Sequence, residues 1–485
     1  AMSADIALVG LAVMGQNLIL NMADHGFKVV AFNRTVSKVQ DFLQNEAAGN
    51  PNVVGAQSVE DMVSQLKSPK RIMLMVKAGS AVDAFIDMLL PHLQEGDIII
   101  DGGNSHFPDS ERRYSSLKEK GLLFVGCGVS GGEEGARYGP SMMPGGNPAA
   151  WPHVKDIFTS ICAKVGNEPC CDWVGEGGSG HYVKMVHNGI EYGDMQLISE
   201  TYQLMKDAMG LSHDEMSKIF EEWNRGKLDS YLIEITAAIL KAKDTDGAPL
   251  LEKILDAAGQ KGTGKWTAVS ALDTGMPVTL IGEAVFARCL SALKNERVQA
   301  AELLGNTTQA ALTPEQITAT LTHLPEAVYA SKLVSYAQGF MLLAAAAKEH
   351  NWALNYGGIA LMWRGGCIIR SAFLGDITRA YQTQPSLSNL LLAPFFADAM
   401  KNADAAWRQV LCTAVMASVP LPCMSAALAF YDGFRTARGS ANMIQAQRDF
   451  FGAHTFERVD APRGKFFHHN WTGHGGTTAS STYNV

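Results

Sequence analysis

The segment that most constrains the fold lies at the start of the chain, where a short apolar run leads into a glycine-rich turn and then a helical pattern. The run covers residues 5–9, the turn covers residues 10–15, and the helical pattern continues to about His25. In such a turn Gly10 permits the tight bend, Ala12 lets a pyrophosphate approach the backbone, and Gly15 lets the helix pack closely on the strand. Because the N-terminus of a helix attracts phosphate, the segment predicts a dinucleotide-binding site. Its expected cofactor-binding residues are Gly10, Leu11, Ala12, Val13, Met14 and Gly15.

Strand-like and helical segments alternate over the first 175 residues. The strand-like runs are Ile6–Val9, Lys28–Phe32, Arg71–Val76, Asp97–Ile100 and Leu122–Gly126. Because strands that alternate with helices form parallel sheets, we expect an α/β Rossmann-like domain over residues 1–178. A chain of 485 residues also exceeds what one hydrophobic core usually organises, so further domains are expected.

The character of the sequence changes after the glycine cluster at 175–180. Segments rich in Ala, Leu, Met, Glu and Lys predict a large all-α domain over residues 179–439. Within it, residues 183–186 are echoed by residues 331–334, which indicates either an internal duplication or chance similarity. Residues 440–485 are expected to be an extended C-terminal tail, because beyond Pro462 they hold almost no aliphatic side chains.

Composition and charge limit the classes of binding partner and the cell compartment that we expect. The 48 acidic and 40 basic residues give a net charge of -8, which opposes broad attraction to nucleic acid or to anionic membranes. The 23 uncharged residues between Arg408 and Asp432 are interrupted by Pro420 and Pro422, so they predict two buried helices rather than a membrane span. Eight cysteines without a CxxC pair predict reduced thiols in a cytoplasmic protein.

The end of the second strand indicates which dinucleotide fits. An acidic residue there would bind the ribose 2′-hydroxyl of NAD, but the chain carries Asn33, Arg34 and Thr35 instead. Arg34 can offer a cationic fork to a 2′-phosphate, with Thr35 and Lys38 as further donors, so NADP is the expected cofactor. Ligands of open parallel sheets bind beyond the carboxyl ends of the strands. The ends of later strands therefore add Val76, Lys77, Ala78 and Asn104 to the expected cofactor site.

A run at 181–192 carries several polar and ionisable side chains on one helical face. Lys184, His187, Asn188 and Glu191 are spaced at i, i+3, i+4 and i+7. Lys184 and Glu191 are then separated by roughly 10 Å of helix rise, which would let them flank one small substrate. The alternative is a solvated helix face with routine i,i+4 partners.

The stretch from Gly259 to Lys265 nearly forms a P-loop. Trp266 stands where a magnesium-binding Ser or Thr is required, and no strand precedes the glycines, so an ATPase is excluded. Backbone N–H groups and Lys261 could still hold an anionic group, and a mobile surface loop is the equal alternative.

With these motifs the chain resembles the 6-phosphogluconate dehydrogenase family over essentially its whole length. The strings at 100–105 and 183–192 are the most specific for that family. The resemblance implies oxidative decarboxylation of 6-phosphogluconate to ribulose 5-phosphate and CO2 in the pentose phosphate pathway, with NADP as the oxidant and no metal. It also implies a homodimer in which the C-terminal tail of each subunit enters its partner.

The resemblance also implies a role for individual residues. Lys184 would be the base at the 3-hydroxyl, and Glu191 would protonate C1 after CO2 has left. The sugar acid's carboxylate and hydroxyls would meet Asn104, Ser130, Gly131, Gly132, His187 and Asn188. Its phosphate would meet Tyr192, Lys261, Thr263 and Arg288, with Arg448 and His454 supplied by the tail of the partner subunit.

Two alternatives compete with this hypothesis. One is a β-hydroxy acid dehydrogenase that stops at the keto acid, and the other is a catalytically silent NADP-binding scaffold. The repeat gives an internal comparison, because Gly339 stands in the second copy where Glu191 stands in the first. We therefore expect Lys332 to lack an acidic partner and to be structural.

Overall fold

The computed structural model describes residues 3–306 and 312–475. Two compact units are distinguished, of which the first ends at Ala427 and the second begins at Leu428. The domain boundaries predicted after residues 178 and 439 stay predictions.

The first unit begins with a seven-stranded sheet. Its strands are β1 (Ile6–Val9), β2 (Val29–Phe32), β3 (Val53–Gly55), β4 (Arg71–Leu74), β5 (Ile98–Asp101), β6 (Leu123–Ser130) and β7 (Ser141–Gly146). They lie in the order β3-β2-β1-β4-β5-β6-β7, and the pairs are parallel except for the antiparallel pair β6–β7. This order reverses beside β1, which opens a crevice at the carboxyl ends of β1 and β4. The predicted Rossmann-like sheet is confirmed, and β3 and β7 are added to it.

Helices cover both faces of the sheet. They are α1 (Val13–Asp24), α2 (Ser37–Gln44), α3 (Val59–Ser64), α4 (Ser80–Leu89), α5 (Phe107–Glu119), α6 (Gly132–Tyr138) and α7 (Trp151–Ile161). Alternate residues of one strand enter different cores: Leu8 packs with Leu18 on one side, and Ala7 packs with Val82 on the other. Burial on both faces explains why these strands are continuous apolar runs. A short antiparallel pair, β8 (Lys164–Val165) and β9 (Glu168–Pro169), follows α7.

The rest of the first unit is built from helices. They are α8 (Ser179–Gln203), α9 (His213–Trp223), α10 (Tyr231–Lys241), α11 (Thr263–Thr274), α12 (Thr279–Ala292), α13 (Lys294–Leu304), α14 (Pro314–His350), α15 (Tyr356–Met362), α16 (Leu374–Thr383), α17 (Pro394–Met416) and α18 (Pro422–Phe434), the last of which continues into the second unit. The large helical part that the sequence predicts is confirmed.

Two long helices pack closely at the centre of this helical part. A Cβ atom built on Gly339 of α14 would lie 2.8 Å from Ile190 of α8, so the glycine allows the two backbones to approach. The proline-containing junction near residue 420 separates α17 from α18 as predicted. Among residues 3–306 and 312–475, no helix combines the length and apolar character that a membrane span requires.

The second unit contains α19 (Ala441–Gly452) and the antiparallel pair β10 (Phe456–Glu457) and β11 (Phe466–Phe467). The buried carboxylate of Asp449 accepts hydrogen bonds from the backbone N–H of Thr455 and His469 and from Nε1 of Trp471, at 2.9 to 3.0 Å. Part of the segment expected to be extended is therefore helical, and hydrogen bonds to one carboxylate of that helix hold the chain that follows it.

Candidate active site

The turn between β1 and α1 has the geometry of a phosphate cradle. Gly10 has φ +109°, and a Cβ atom there would lie 2.3 Å from the carbonyl oxygen of Met75. A Cβ atom on Gly15 would lie 1.9 Å from the carbonyl oxygen of Gly10. The first turn of α1 carries no acidic residue, so its N–H groups and dipole favour an anion. These residues fit the pyrophosphate of a dinucleotide.

The end of β2 is tied to this turn. Oδ1 of Asn33 accepts a hydrogen bond from the backbone N–H of Leu11 at 3.0 Å, and Nδ2 of Asn33 donates to the carbonyl oxygen of Thr35 at 3.1 Å. Arg34, Thr35 and Lys38 are exposed beside it, and residues 33–38 contain no carboxylate. The arrangement fits a ribose that carries a 2′-phosphate.

The loops after β4 and β5 supply the other expected cofactor residues. Val76, Lys77 and Ala78 follow β4, and Asn104 follows β5 with an exposed side chain. Oδ1 of Asp101, at the end of β5, accepts a hydrogen bond from the backbone N–H of Gly103 at 3.1 Å. Because β1, β4 and β5 are adjacent and parallel, their loops lie at one edge of the sheet.

Four of the expected substrate and catalytic residues form one hydrogen-bonded chain. Nζ of Lys184 donates to Oδ1 of Asn188 at 2.7 Å, and the same oxygen lies 2.9 Å from Nδ1 of His187. Nε2 of His187 lies 3.3 Å from Oγ of Ser130. Since Oδ1 only accepts, Nδ1 of a neutral His187 is assigned the proton, and Nε2 accepts from the Ser130 hydroxyl.

A glycine of β6 makes room for Lys184, and sequence reasoning missed this glycine. A Cβ atom on Gly128 would lie 2.4 Å from Cβ of Lys184. The side chain of Lys184 thus packs on the strand, and the residue is 7% exposed. A glycine inside a strand was the available signal, since it marks a close approach.

Burial shifts the pKa values of the two expected catalytic groups in opposite directions. It lowers the pKa of Lys184, while the nearby charge of Glu191 works against that shift. It raises the pKa of Glu191, against the opposing effects of Lys184 and Arg288. Burial also holds the pKa of His187 well below its usual range, and the charge of Lys184 adds to this effect. Burial therefore shifts all three groups towards their uncharged forms.

Two of the four expected phosphate-binding residues, Tyr192 and Arg288, are in contact, and the segment that carries the other two lies beside them. The Arg288 guanidinium lies 3.7 Å from the centre of the Tyr192 ring, and Nη1 of Arg288 donates to the carbonyl oxygen of Gly259 at 3.0 Å. Gly264, in the first turn of α11, packs on the same ring, where a Cβ atom would lie 2.3 Å from it. Lys261 is exposed and Thr263 begins α11. Aromatic and cationic side chains are thus gathered at one end of the site.

The backbone of residues 131–132 approaches a second loop. A Cβ atom on Gly131, where φ is +127°, would lie 2.6 Å from the carbonyl oxygen of Gly366. Gly132 begins α6 and is exposed. Cys367, in the same loop, is a neighbour of Lys184 that sequence reasoning missed, and burial raises the pKa of its thiol to about 12.

Two expected site residues lie in the second unit. Nη1 of Arg448 donates to Oε1 of Gln445 at 3.0 Å, and His454 lies beside Phe451 with ring centres 6.0 Å apart. Their contact with substrate, as part of a partner's tail, stays a prediction.

The expectation that Lys332 lacks an acidic partner is wrong. Nζ of Lys332 lies 3.8 Å from Oδ2 of Asp194, and both side chains are buried. Asp194 also accepts a hydrogen bond from the hydroxyl of Tyr336 at 3.2 Å. The acid comes from α8, one turn beyond Glu191, so the spacing within α14 could not reveal it.

The fold and this site together define a dinucleotide-dependent dehydrogenase with an amine and a carboxyl group for acid–base chemistry. Within residues 3–306 and 312–475, no group of three or more His, Cys, Asp or Glu side chains is arranged to hold a metal ion.

Comparison with known proteins gives the family. Residues 5–175 match the NAD binding domain of 6-phosphogluconate dehydrogenase, and residues 180–471 match the C-terminal domain of the same enzyme. The decarboxylating 6-phosphogluconate dehydrogenases of Mus musculus and Homo sapiens are 66% and 65% identical over 483 residues, which is 99% of this chain and 99% of each relative. The chain belongs to the 6-phosphogluconate dehydrogenase family.

A solved structure is similar over nearly the whole chain. It is that of Plasmodium falciparum 6-phosphogluconate dehydrogenase, described in its apo form, with its cofactor NADP+ and with its substrate 6-phosphogluconate. The TM-score is 0.93 at 44% identity, and the match covers 96% of this chain and 100% of that one.

Proposed function

We propose that this chain converts 6-phosphogluconate and NADP to ribulose 5-phosphate, CO2 and NADPH, as a step of the pentose phosphate pathway. The observation that carries the proposal is the burial of Lys184 and Glu191, which lie two turns apart on one face of α8. Burial lowers the pKa of the amine and raises the pKa of the carboxyl group. The names and identities of the relatives support the same reaction.

Lys184 acts first, as the base. Residues 10–15 and 33–35 would hold NADP, which when bound would supply the acceptor for the hydride of C3 of the sugar acid. As the hydride leaves, Nζ of neutral Lys184 takes the proton of the 3-hydroxyl. Asn188 holds Nζ in place through its 2.7 Å hydrogen bond. The low pKa that burial gives Lys184 keeps its neutral form accessible, which a solvated lysine would not be.

The same lysine serves the decarboxylation. Once protonated, Lys184 donates a hydrogen bond to the new 3-keto oxygen, so negative charge can develop there as the carboxylate departs as CO2. In a buried site that stabilisation is stronger than in water, because the local dielectric constant is lower.

Glu191 completes the reaction as the acid. The carbon to be protonated is C2 of the sugar acid, which becomes C1 of ribulose 5-phosphate. Its protonation requires a carboxyl group that still holds its proton near neutral pH, and burial raises the pKa of Glu191 in that direction. Lys184 and Glu191 thus need different protonation states at the same pH, and burial shifts the pKa of each group towards the state that it needs.

Other residues of the site orient the sugar acid. We assign the carboxylate and hydroxyls to Asn104, Ser130, Gly131, Gly132, His187 and Asn188. We assign the phosphate to Tyr192, Lys261, Thr263 and Arg288, with Arg448 and His454 from a partner's tail. The cluster of Tyr192 and Arg288 beside residues 259–264 supports the phosphate assignment, because it offers a guanidinium and a helix N-terminus.

The test is to supply the purified protein with 6-phosphogluconate and NADP and to measure NADPH and CO2 in the same vessel. Equal amounts of the two products are expected. NADPH without CO2 would indicate a β-hydroxy acid dehydrogenase that stops at the keto acid, and NADP binding without turnover would indicate a silent scaffold.

We also infer a homodimer that exchanges C-terminal tails. Large apolar side chains on α11, α12 and α13 are exposed in a single chain, among them Leu272 at 81%, Phe286 at 70% and Leu303 at 85%. Monomeric proteins rarely leave that much apolar surface in water, which supports a second copy as its cover.

A complementation experiment tests the exchange of tails. Chains carrying Lys184→Met are mixed with chains carrying Arg448→Met under conditions that exchange subunits. If each site takes its tail from the partner, half of the dimers are mixed and each has one intact site, so about a quarter of wild-type activity should return. No recovery after demonstrated exchange would contradict the tail exchange.

We also propose a cytoplasmic location, which the state of the cysteines supports. All eight are free thiols, and six of them are buried. Reduced thiols in this number are typical of a reducing compartment. Thiol titration of the protein released from fresh cells should find them unoxidised.

A further inference from the structure

A buried guanidinium lies directly behind the loops after β4 and β5. Arg113 of α5 is 2% exposed. Its Nε and Nη2 donate to the two carboxylate oxygens of Asp83 at 2.9 and 3.2 Å, and Nη2 also donates to the carbonyl oxygen of Gly79 at 3.1 Å. Its Nη1 lies 3.4 Å from both Oδ2 of Asp101 and Oγ of Ser105. One side chain thus joins α5 to both loops.

The contacts of Arg113 lie next to the proposed cofactor and substrate residues. Gly79 directly follows Ala78. Asp101 and Ser105 enclose the loop that carries Asn104, and the hydroxyl of Ser105 donates to Oδ2 of Asp101 at 2.5 Å. The distance between the two loops is therefore set by groups that all bond to the same guanidinium.

The chemistry of the network suits an arginine and no other residue. Two carboxylates, a carbonyl and a hydroxyl accept from its fixed, planar fork, whereas a lysine ammonium could not reach all of them. The hydrogen bonds from Arg113 are the main cause that holds the pKa of Asp83 at about 2, so that carboxylate stays charged at neutral pH. The network is therefore charge-assisted and stiff at the pH where the enzyme works.

We propose that Arg113 is a positioning residue for hydride transfer, which holds the loops 76–79 and 101–105 at the separation that the nicotinamide end of the cofactor and C3 of the substrate require. Because its side chain is buried among α5 and the two loops, its effect passes through Ala78 and Asn104. The proposal rests on the function proposed above. Small errors of placement slow transfer strongly, since a shift of about 1 Å can reduce the rate on the order of a hundredfold.

The adjacent residue offers a matched control. Arg112 donates to the same carboxylate of Asp83 at 3.2 and 3.1 Å, lies 3.6 Å from Asp109, and has a side chain that is 55% exposed. We compare Arg113→Met and Arg113→Lys with Arg112→Met. For each we measure kcat, KM for both substrates, the thermal midpoint, and the deuterium isotope effect on kcat/KM with 6-phosphogluconate deuterated at C3.

We expect the three variants to differ in kcat/KM and in the isotope effect. Arg113→Met should lower kcat/KM by about 10- to 100-fold and increase the isotope effect, because hydride transfer becomes more rate-limiting. Arg113→Lys should recover a part of this loss, since it keeps the charge but not the fork. Arg112→Met should match wild type in both quantities.

Two outcomes would overturn the proposal. One is an Arg113→Met enzyme whose thermal midpoint falls while kcat/KM and the isotope effect stay at wild-type values, which is the signature of a role in stability alone. The other arises if Arg113→Met fails to fold and Ser105→Ala, which removes the hydroxyl between Asp101 and the guanidinium, leaves the isotope effect unchanged. Lack of NADPH formation by wild type would instead refute the proposed function, so the two failures are distinguishable.

Discussion

Replacing Lys184 by methionine removes the amine and keeps most of the stem that packs on Gly128. General base catalysis by a positioned side chain contributes about 10²- to 10⁴-fold, which corresponds to about 3–5 kcal/mol of transition-state stabilisation. The same variant also loses the cation that polarises the keto oxygen, so we expect kcat to fall by at least about 10³-fold. KM for NADP should change little, because the lysine lies on α8 and the phosphate cradle is formed by residues 10–15.

The variant should at the same time be no less stable than wild type. Burial lowers the pKa of Lys184, so the folded state binds fewer protons than the unfolded state between the lowered pKa and the usual lysine value. Wild-type stability therefore rises with pH through that window and is reduced below it. The Lys184→Met chain lacks this cost, and its advantage in thermal midpoint should grow as the pH falls.

The matched control is Lys332→Met, at the equivalent position of the repeat. It leaves the buried carboxylate of Asp194 without the cation that lies 3.8 Å away. Removing one partner of a buried ion pair costs about 3–5 kcal/mol, so stability should fall while kcat per folded molecule is retained. The assay is initial NADPH formation at saturating substrates, normalised to active sites by NADP titration, with thermal midpoints alongside. Activity in Lys184→Met together with its loss in folded Lys332→Met would refute the assignment.

Three further variants test other parts of the molecule. Glu191→Gln should show one burst of NADPH per site and then a steady rate lowered about 10²-fold or more, because an amide cannot protonate C1; stopped-flow absorbance would reveal an unchanged steady rate. Arg34→Ala should raise KM for NADP about tenfold or more and leave KM for NAD unchanged, since a charge-assisted hydrogen bond contributes about 1.5–3 kcal/mol; equal effects on both cofactors would count against a 2′-phosphate contact. Glu200 accepts from the backbone N–H of Cys423 and Met424, and burial raises its pKa to about 7. The contribution of Glu200 to the free energy of unfolding is therefore complete below its unfolded pKa and is lost as the pH rises towards 7. Over that range, urea titrations should show that the free energy of unfolding of wild type falls by about 3 kcal/mol relative to that of Glu200→Gln.

The sequence predicted those strands of the sheet that form clear apolar runs. The strands β1, β2, β4, β5 and β6 are apolar runs, and each was expected within a few residues of its bounds. β7 was missed because its sequence, Ser-Met-Met-Pro-Gly-Gly, combines residues that weaken strand propensity. It is held instead by six antiparallel pairs with β6, a long-range arrangement that no local pattern reports.

The candidate site divides in the same way. The shared face of Lys184, His187, Asn188 and Glu191 follows from helix spacing alone, and α8 confirms that they lie on one helix. The assignments of individual residues to substrate atoms came from the resemblance and stay predictions. The Arg113 network and the Asp194–Lys332 pair were missed, because each joins residues from different elements. Such contacts depend on tertiary packing, which periodicity does not encode.

In the proposed mechanism, one helix presents a neutral amine and a protonated carboxyl to the same substrate. The pH dependence of kcat in wild type and in Glu191→Gln tests this arrangement, because Glu191 acts after CO2 has left and kcat includes that step. Wild type should give a bell, in which activity rises as Lys184 loses its proton and falls as Glu191 loses its own, and Glu191→Gln should lack the limb that belongs to the carboxyl. A wild-type profile without either limb, or a variant that keeps both, would contradict the account.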